Sequence, residues 1–183
     1  MTFKAIILSY IRWEKGDEME QEIKILLVDD DEVDREMLRK ALKSLEATII
    51  EAKDGSECIK LLTEQQFGLI LLDYKLPDYD GLTLIAEIRR LVPNTPIVIV
   101  TGFGNEDLVR ATSLAGVLDY IPKNKVTPEF LTRTILNDML IHRSQMEKQR
   151  AEEELETHRK KDIELLSNII AMAKEKLKEY EDK

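Results

Sequence analysis

The sequence predicts an α/β protein: a doubly wound, five-stranded parallel sheet with a long helical extension at its C-terminal side. Three observations predict it. Apolar runs end abruptly on polar groups. Leu69-Ile70-Leu71-Leu72 ends on Asp73, Ile25-Leu26-Leu27-Val28 ends on Asp29-Asp30, and Ile97-Val98-Ile99-Val100 ends on Thr101-Gly102. Such runs have the pattern of strands buried on both faces, as in parallel sheets. Next, five apolar runs alternate with four stretches of helical periodicity, the signature of repeated strand-helix units with right-handed crossovers. Finally, beyond Pro128 the chain contains no Gly and no further Pro, so nothing in it interrupts a helix.

The strands are expected at 24–29, 47–52, 68–73, 97–101 and 118–121. Helices are expected at about 32–45, 55–65, 81–91 and 105–115. Met37, Leu38, Ala41, Leu42 and Leu45 recur at helical spacing in the first of these, and Leu82, Ile85, Ala86 and Ile88 in the third. Asp54-Gly55, Asp80-Gly81, Pro93-Asn94, Gly102 with Gly104, and Gly116 punctuate the series as turns. Asp31 is placed to cap the first helix, and Asn105 with Glu106 to open the fourth.

Thr127-Pro128-Glu129 reads as a further helix start, with Thr as N-cap and Pro at the first helical position. Ile135, Met139, His142 and Met146 keep a spacing of three and four; Ile163, Leu166, Ile170, Ala173, Leu177 and Tyr180 keep it again. A continuous helix over 127–180 would be about 80 Å long. One small domain cannot cover that length, so a second copy of the helix is the expected partner, giving a homodimer through a coiled coil. The alternative is a solvated helix that frays beyond about residue 148. Residues 1–21 form an N-terminal extension. It can be read as a signal-peptide fragment lacking a small-residue cleavage site, as a packing element, or as an upstream start, since Met19-Glu20-Gln21-Glu22 opens a compact domain well. The expected organisation is therefore 1–21 extension, 22–126 core, and 127–183 fifth helix and tail.

Composition narrows the function. Of 183 residues, 43% are apolar and 34% charged, with net charge -9 and a pI near 4.9. An acidic balance argues against a nucleic-acid-binding surface, which needs a basic footprint. No run approaches the roughly 18 apolar residues that span a bilayer, so no membrane partner is expected. The single cysteine, Cys58, excludes an internal disulfide and suits a reducing, cytoplasmic setting. Its helical surroundings mark it as a buried small hydrophobe.

The strand ends carry the chemistry. Asp29, Asp30 and Asp73 converge on one sheet edge, where open α/β sheets hold their sites. Packed carboxylates repel one another unless a cation joins them, and a hard divalent ion such as Mg2+ (or Mn2+) suits oxygen donors. A carboxylate beside such an ion can act as nucleophile toward a phosphoryl group, provided the charge on the phosphoryl oxygens is neutralised. Lys123 offers an ammonium and Thr101 a hydroxyl. Singly, each of these residues has an ordinary alternative as a turn former, a cap or a solvated cation. Together they follow the first, third, fourth and fifth strands, which chance explains poorly.

These residues, with their intervening segments, resemble the receiver domain of two-component response regulators over roughly residues 22–126 and into the helix at 127–143. The matching segments are Ile25-Leu26-Leu27-Val28-Asp29-Asp30-Asp31, Leu72-Asp73-Tyr74-Lys75-Leu76-Pro77-Asp78-Tyr79-Asp80-Gly81, Val100-Thr101-Gly102 and Asp119-Tyr120-Ile121-Pro122-Lys123. The resemblance implies a flavodoxin-like strand order 2-1-3-4-5. It implies Asp73 as phosphoacceptor, Asp30 as the main magnesium ligand with Asp29 beside it, and the Lys75 backbone carbonyl as a further ligand. It implies contacts from Thr101 and Lys123 to the phosphoryl group, Tyr120 as switch aromatic, and Pro77 and Gly81 as shapers of the loop after Asp73. Many receivers have Pro directly after the lysine, often as a cis bond; here Asn124 follows Lys123, and a trans bond is expected.

By the same resemblance the chain is expected to act as a phosphorylation-dependent regulator, not as an enzyme beyond its own phosphorylation and dephosphorylation. A sensor histidine kinase or phosphotransfer protein would be its donor. The charge on Asp73 would bias Thr101, Tyr120 and the fourth helix, and through them the long helix. Another reading is a non-phosphorylated receiver-like docking or dimerisation module, against which the complete residue set counts. A hydrolase with an aspartyl-phosphate site lacks room for a substrate cap. A phosphotransfer role for His158, in Thr157-His158-Arg159-Lys160-Lys161, lacks an acceptor motif, so an exposed helix histidine is expected; His142 is read as a polar position in the helix interface.

Overall fold

The computed structural model describes residues 24–45, 47–102 and 106–181, without the side chains of 106–109 and 175–181. The expectations for residues 1–21 and for Asn105 as a cap lie outside the described residues. The elements run β1 Lys24–Val28, α1 Glu32–Leu42, β2 Thr48–Ala52, α2 Gly55–Glu64, β3 Leu69–Leu72, α3 Gly81–Leu91, β4 Ile97–Thr101, α4 Glu106–Leu114, β5 Asp119–Pro122 and α5 Pro128–Glu181. Short 3-10 turns at Lys43–Leu45 and Lys123–Lys125 follow α1 and β5. The first helical stretch predicted from sequence thus ends at Leu42 as an α-helix and tightens into the 3-10 turn, as helix termini often do.

All four strand pairings are parallel, in the order β2-β1-β3-β4-β5. The period-two alternation of a strand sends successive side chains to opposite faces, and both faces are covered. Ile25, Leu27, Leu69, Leu71, Val98 and Val100 face a layer supplied by Leu38 and Leu42 of α1 and by Leu131, Ile135 and Leu136 of α5. Their neighbours Leu26, Val28, Ile70, Leu72, Ile97 and Ile99 face Cys58 and Leu62 of α2 and Leu84, Ile85 and Ile88 of α3. This two-sided burial is why the strands read as unbroken apolar runs. Each fully buried aliphatic side chain contributes about 1.5–3 kcal/mol.

Strand order reverses between β1 and β3: β1 leads to a neighbour on one side, and the chain then returns to the other. Open sheets place their crevice at such a point. The backbone is pinned there, Asp73 N donating to Val28 O at 2.8 Å and Asp29 N to Ala52 O at 3.1 Å.

The helix starts are set by side chains. Asp31 Oδ1 accepts from Val33 N at 2.7 Å and Asp34 N at 3.3 Å, capping α1 as expected. Asp54 and Asp80 cap α2 and α3 in the same way. Thr127 Oγ1 accepts from Phe130 N at 3.2 Å, with Pro128 opening α5. The chain divides into two compact units after His142. Up to that point α5 is half inward: Leu131 and Ile135 are wholly buried, and a Ser44–Thr132 hydroxyl contact of 2.9 Å joins it to the turn after α1. The unit from Arg143 onward is one continuous helix, and the side chains described over 147–174 are all exposed. No described helix is long and apolar enough to cross a membrane.

Candidate functional site

The sheet's β1–β3 edge brings the predicted carboxylates together. One oxygen from each of Asp29, Asp30 and Asp73 lies within 4.8 Å of the others. Asp29 is fully buried, Asp73 nearly so, and Asp30 exposed. Asp29 Oδ1 accepts from Asp31 N at 3.0 Å, and Asp73 Oδ1 accepts from Lys75 N at 3.1 Å. Each thus folds the next two residues back toward the sheet edge. Burial pushes the Asp29 carboxyl above its ordinary pKa, against the opposing pull of Lys123.

Lys123 is the hub. Its Nζ lies 2.7 Å from Asp29 Oδ2, 2.7 Å from Asp73 Oδ2 and 2.6 Å from Asp34 Oδ2. Burial alone would pull its pKa down, but the contacts with Asp29, Asp34 and Asp73 outweigh this and hold it above the ordinary lysine value. The backbone at Lys123-Asn124 is trans, as expected, since no cis peptide bond occurs among the described residues. A 3-10 turn over Lys123–Lys125, closed by Val126 N to Lys123 O at 3.2 Å, follows β5, and the ammonium reaches Asp73.

Thr101 is fully buried at the end of β4, in register with Pro122. Tyr120 is half-buried against the α2–α3 core layer, and burial, then the nearby Asp73 charge, raises its phenol pKa. The loop after Asp73 is tied at both ends. Asp78 accepts from Gly55 N, Ser56 N and Ser56 Oγ at 2.8–2.9 Å. At Gly81 a Cβ would stand 2.6 Å from the Tyr74 carbonyl oxygen, so only glycine fits.

Sequence reasoning missed three groups. Asp34 lies in the first turn of α1, and its pairing with Lys123 bridges 89 positions of sequence. Arg35 donates to the Asp29 carbonyl at 2.7 Å and pairs with Glu51 at 3.1 Å, bracing the strand end against β2. Asp138 on α5 meets Asp119 of β5, and burial followed by the Asp119 charge pushes it up to about 7. No local signal marks any of them. His142 is half-buried, and burial and then the charge of Arg89 lower its pKa. Cys58 is buried in the α2 layer, where desolvation pushes its thiol up to about 12. His158 is exposed, with Nδ1 2.9 Å from Glu154 O in the preceding turn.

The donor set suits a hard divalent cation. Asp29, Asp30, Asp34 and Asp73 bring four carboxylates, Lys123 neutralises one charge, and Arg35 is already paired with Glu51. The excess is negative and offered by oxygen, which matches magnesium better than a softer metal.

Comparison with known proteins bears on the family and the fold. The sequence profile of the response regulator receiver domain matches residues 25–136. The response regulator protein PilR of Pseudomonas aeruginosa is 34% identical over 100 residues, 55% of this chain and 22% of that protein. The response regulator MprA of Mycolicibacterium vanbaalenii is 32% identical over 111 residues, 61% of this chain and 48% of that one. The chain therefore covers between about a fifth and a half of the length of these relatives. Among solved structures, a CheY-like response regulator receiver domain protein from Methanospirillum hungatei superimposes with a TM-score of 0.63. It is 26% identical, with 68% of this chain and 99% of that chain covered.

Proposed function

Because this chain belongs to the response regulator receiver domain family, we propose that it is a phosphorylation-dependent signalling regulator whose acceptor is Asp73. The single observation that carries the reading is the 2.7 Å contact between Lys123 Nζ and Asp73 Oδ2 at the mouth of the Asp29–Asp30–Asp73 cluster. An Asp73 oxygen attacks the phosphorus of a phosphohistidine or a small phosphodonor. The new O–P bond forms as the donor's bond to phosphorus breaks, and the electron pair leaves with the donor. Lys123 neutralises charge on the phosphoryl oxygens. Asp29 and Asp30, with Asp73 and the Lys75 carbonyl, would hold Mg2+, which supplies further charge neutralisation there. The chain does no chemistry on other substrates in this reading.

A phosphoryl group on Asp73 competes for Lys123 and offers new acceptors to the Thr101 hydroxyl. The Thr101 shift and the ring of Tyr120 carry that change toward α4 and α5. Residues 22–126 act as the receiver core, and 127–183 as its fifth helix continuing into a tail that dimerises with a second copy. The chain's phosphodonor is a sensor histidine kinase or a phosphotransfer protein. Transcriptional regulation belongs to relatives such as the transcriptional regulatory protein GlrR of Escherichia coli, of which the chain covers 22%.

The test is acetyl phosphate with Mg2+ on a phosphate-affinity gel. A retarded band is expected for the wild type. Its loss is expected in Asp73→Ala, in Lys123→Ala and on chelation of the metal. Retardation that persists in Asp73→Ala would move the acceptor elsewhere. No retardation with any donor would favour the docking module.

A further inference from the structure

We infer that residues 163–180 of α5 pair antiparallel with the same segment of a second copy, while 143–162 stays a solvated spacer. This rests on the proposed homodimer and names its surface and orientation. Ile163, Leu166, Ile169 and Ile170 are each more than half exposed, so among the described residues nothing covers this part of the stripe. The three-four spacing sets the heptad: Ile163, Ile170 and Leu177 are a positions, and Leu166, Ala173 and Tyr180 are d positions.

Running the same phase backward separates the two orientations. Glu156 falls at a, and Glu152 and Arg159 at d. A parallel, in-register pair extended through this stretch would stack Glu152, Glu156 and Arg159 each on its own copy, three like-charge layers in a row. An antiparallel pair sets a against d. Ile163 then falls opposite Tyr180, Leu166 opposite Leu177 and Ile170 opposite Ala173, and every layer over the segment is apolar. At the flanking e positions Lys160 falls opposite Glu181, a pairing of opposite charge. The acidic runs around Glu154 then lie about 50 Å apart along the axis, at 1.5 Å per residue from a centre between 171 and 172. In a parallel pair they would stand roughly 10 Å apart.

The spacer has its own stabilisation. Arg143–Glu147 at 2.7 Å, Arg150–Glu154 at 3.2 Å and Lys160–Glu156 at 2.9 Å are pairs four residues apart on the one helix. Arg143 and Arg150 thus find partners along the helix itself, while Lys160, at the border of the paired segment, can turn from Glu156 to Glu181 of the second copy.

The test uses the full chain with Cys58 left in place, since it is buried. Leu166→Cys and Leu177→Cys are made separately and as a co-expressed mixture with tags of different length, then oxidised. Light scattering is run alongside. The expected result is a wild type larger than a monomer, a cross-linked species joining the two tags in the mixture, and little cross-linking in either variant alone. Strong cross-linking of Leu166→Cys to itself keeps the dimer and overturns the antiparallel register. A dimeric sample without the mixed cross-link also overturns it. A monomeric wild type overturns the dimer and the register together. Ile163→Glu with Ile170→Glu should return the chain to a monomer with the phosphorylation band unchanged.

Discussion

Replacing Lys123 by Met keeps the length of the side chain and deletes its charge. In the wild type the ammonium stands 2.6–2.7 Å from three carboxylates, and the Lys123, Asp29 and Asp73 side chains are 12%, 1% and 8% exposed. At an effective dielectric of about 20, each contact amounts to roughly 6 kcal/mol of Coulomb attraction before desolvation. Desolvating the four groups cancels most of that sum, and Asp34 is 32% exposed and well screened. Breaking a buried pair by removing one partner costs about 3–5 kcal/mol; screening at this open edge reduces the expectation to about 2–3 kcal/mol at pH 7.5.

The pH dependence gives the signature. Without Lys123, Asp29 loses the contact that opposes its burial, so its pKa rises further above the ordinary value. A carboxyl raised in the folded state contributes stability at low pH and loses it as pH rises through the folded pKa. Lys123→Met should therefore be close to wild type near pH 4 and fall behind it progressively toward pH 7.5. Millimolar Mg2+ should recover part of the loss by binding the freed acids. Urea unfolding at three pH values, with and without Mg2+, measures this. An equal deficit at every pH, or none at pH 7.5, would refute the electrostatic account of the site.

Three further outcomes are expected. Asp138 is held up near 7 by burial and by Asp119, so its contribution is present at acid pH and lost as pH rises through about 7. Asp138→Asn should match wild type only near pH 3, below the unfolded value, pull ahead as pH rises toward 7 and exceed it by about 1 kcal/mol at pH 8 after discounting for partial exposure; urea unfolding at both ends of that range decides it. Gly81→Ala forces a methyl against the Tyr74 carbonyl and should cost about 1–3 kcal/mol, read as a lower urea midpoint and a smaller fraction phosphorylated. The Cys58 thiol, buried and pushed up to about 12, should resist a thiol reagent at pH 8 until urea is added; fast labelling of the native chain would contradict its place in the core.

The sheet and most of the acidic site were legible in the sequence because their signals are local. A strand buried on both faces must be apolar throughout, and the residue after it emerges at the sheet edge, so Asp29, Asp73 and Thr101 could be placed from runs of four or five letters. Caps are local too: Asp31 and Thr127 act within three residues of themselves. The long helix followed from composition, since nothing after Pro128 breaks it.

Tertiary structure alone decided which charges meet. Asp34 and Lys123 are 89 positions apart, and Asp138 reaches Asp119 only because α5 packs back along β5. A side chain's partner across the fold depends on helix rotation and on the depth of packing, neither of which a local pattern encodes. The sequence by itself thus determined the scaffold and pointed to five groups at its edge, Asp29, Asp30, Asp73, Thr101 and Lys123. The folded chain decided that Lys123 is shared among three carboxylates, because only there does the edge between β1 and β3 bring α1 and the loop after β5 within reach of one ammonium.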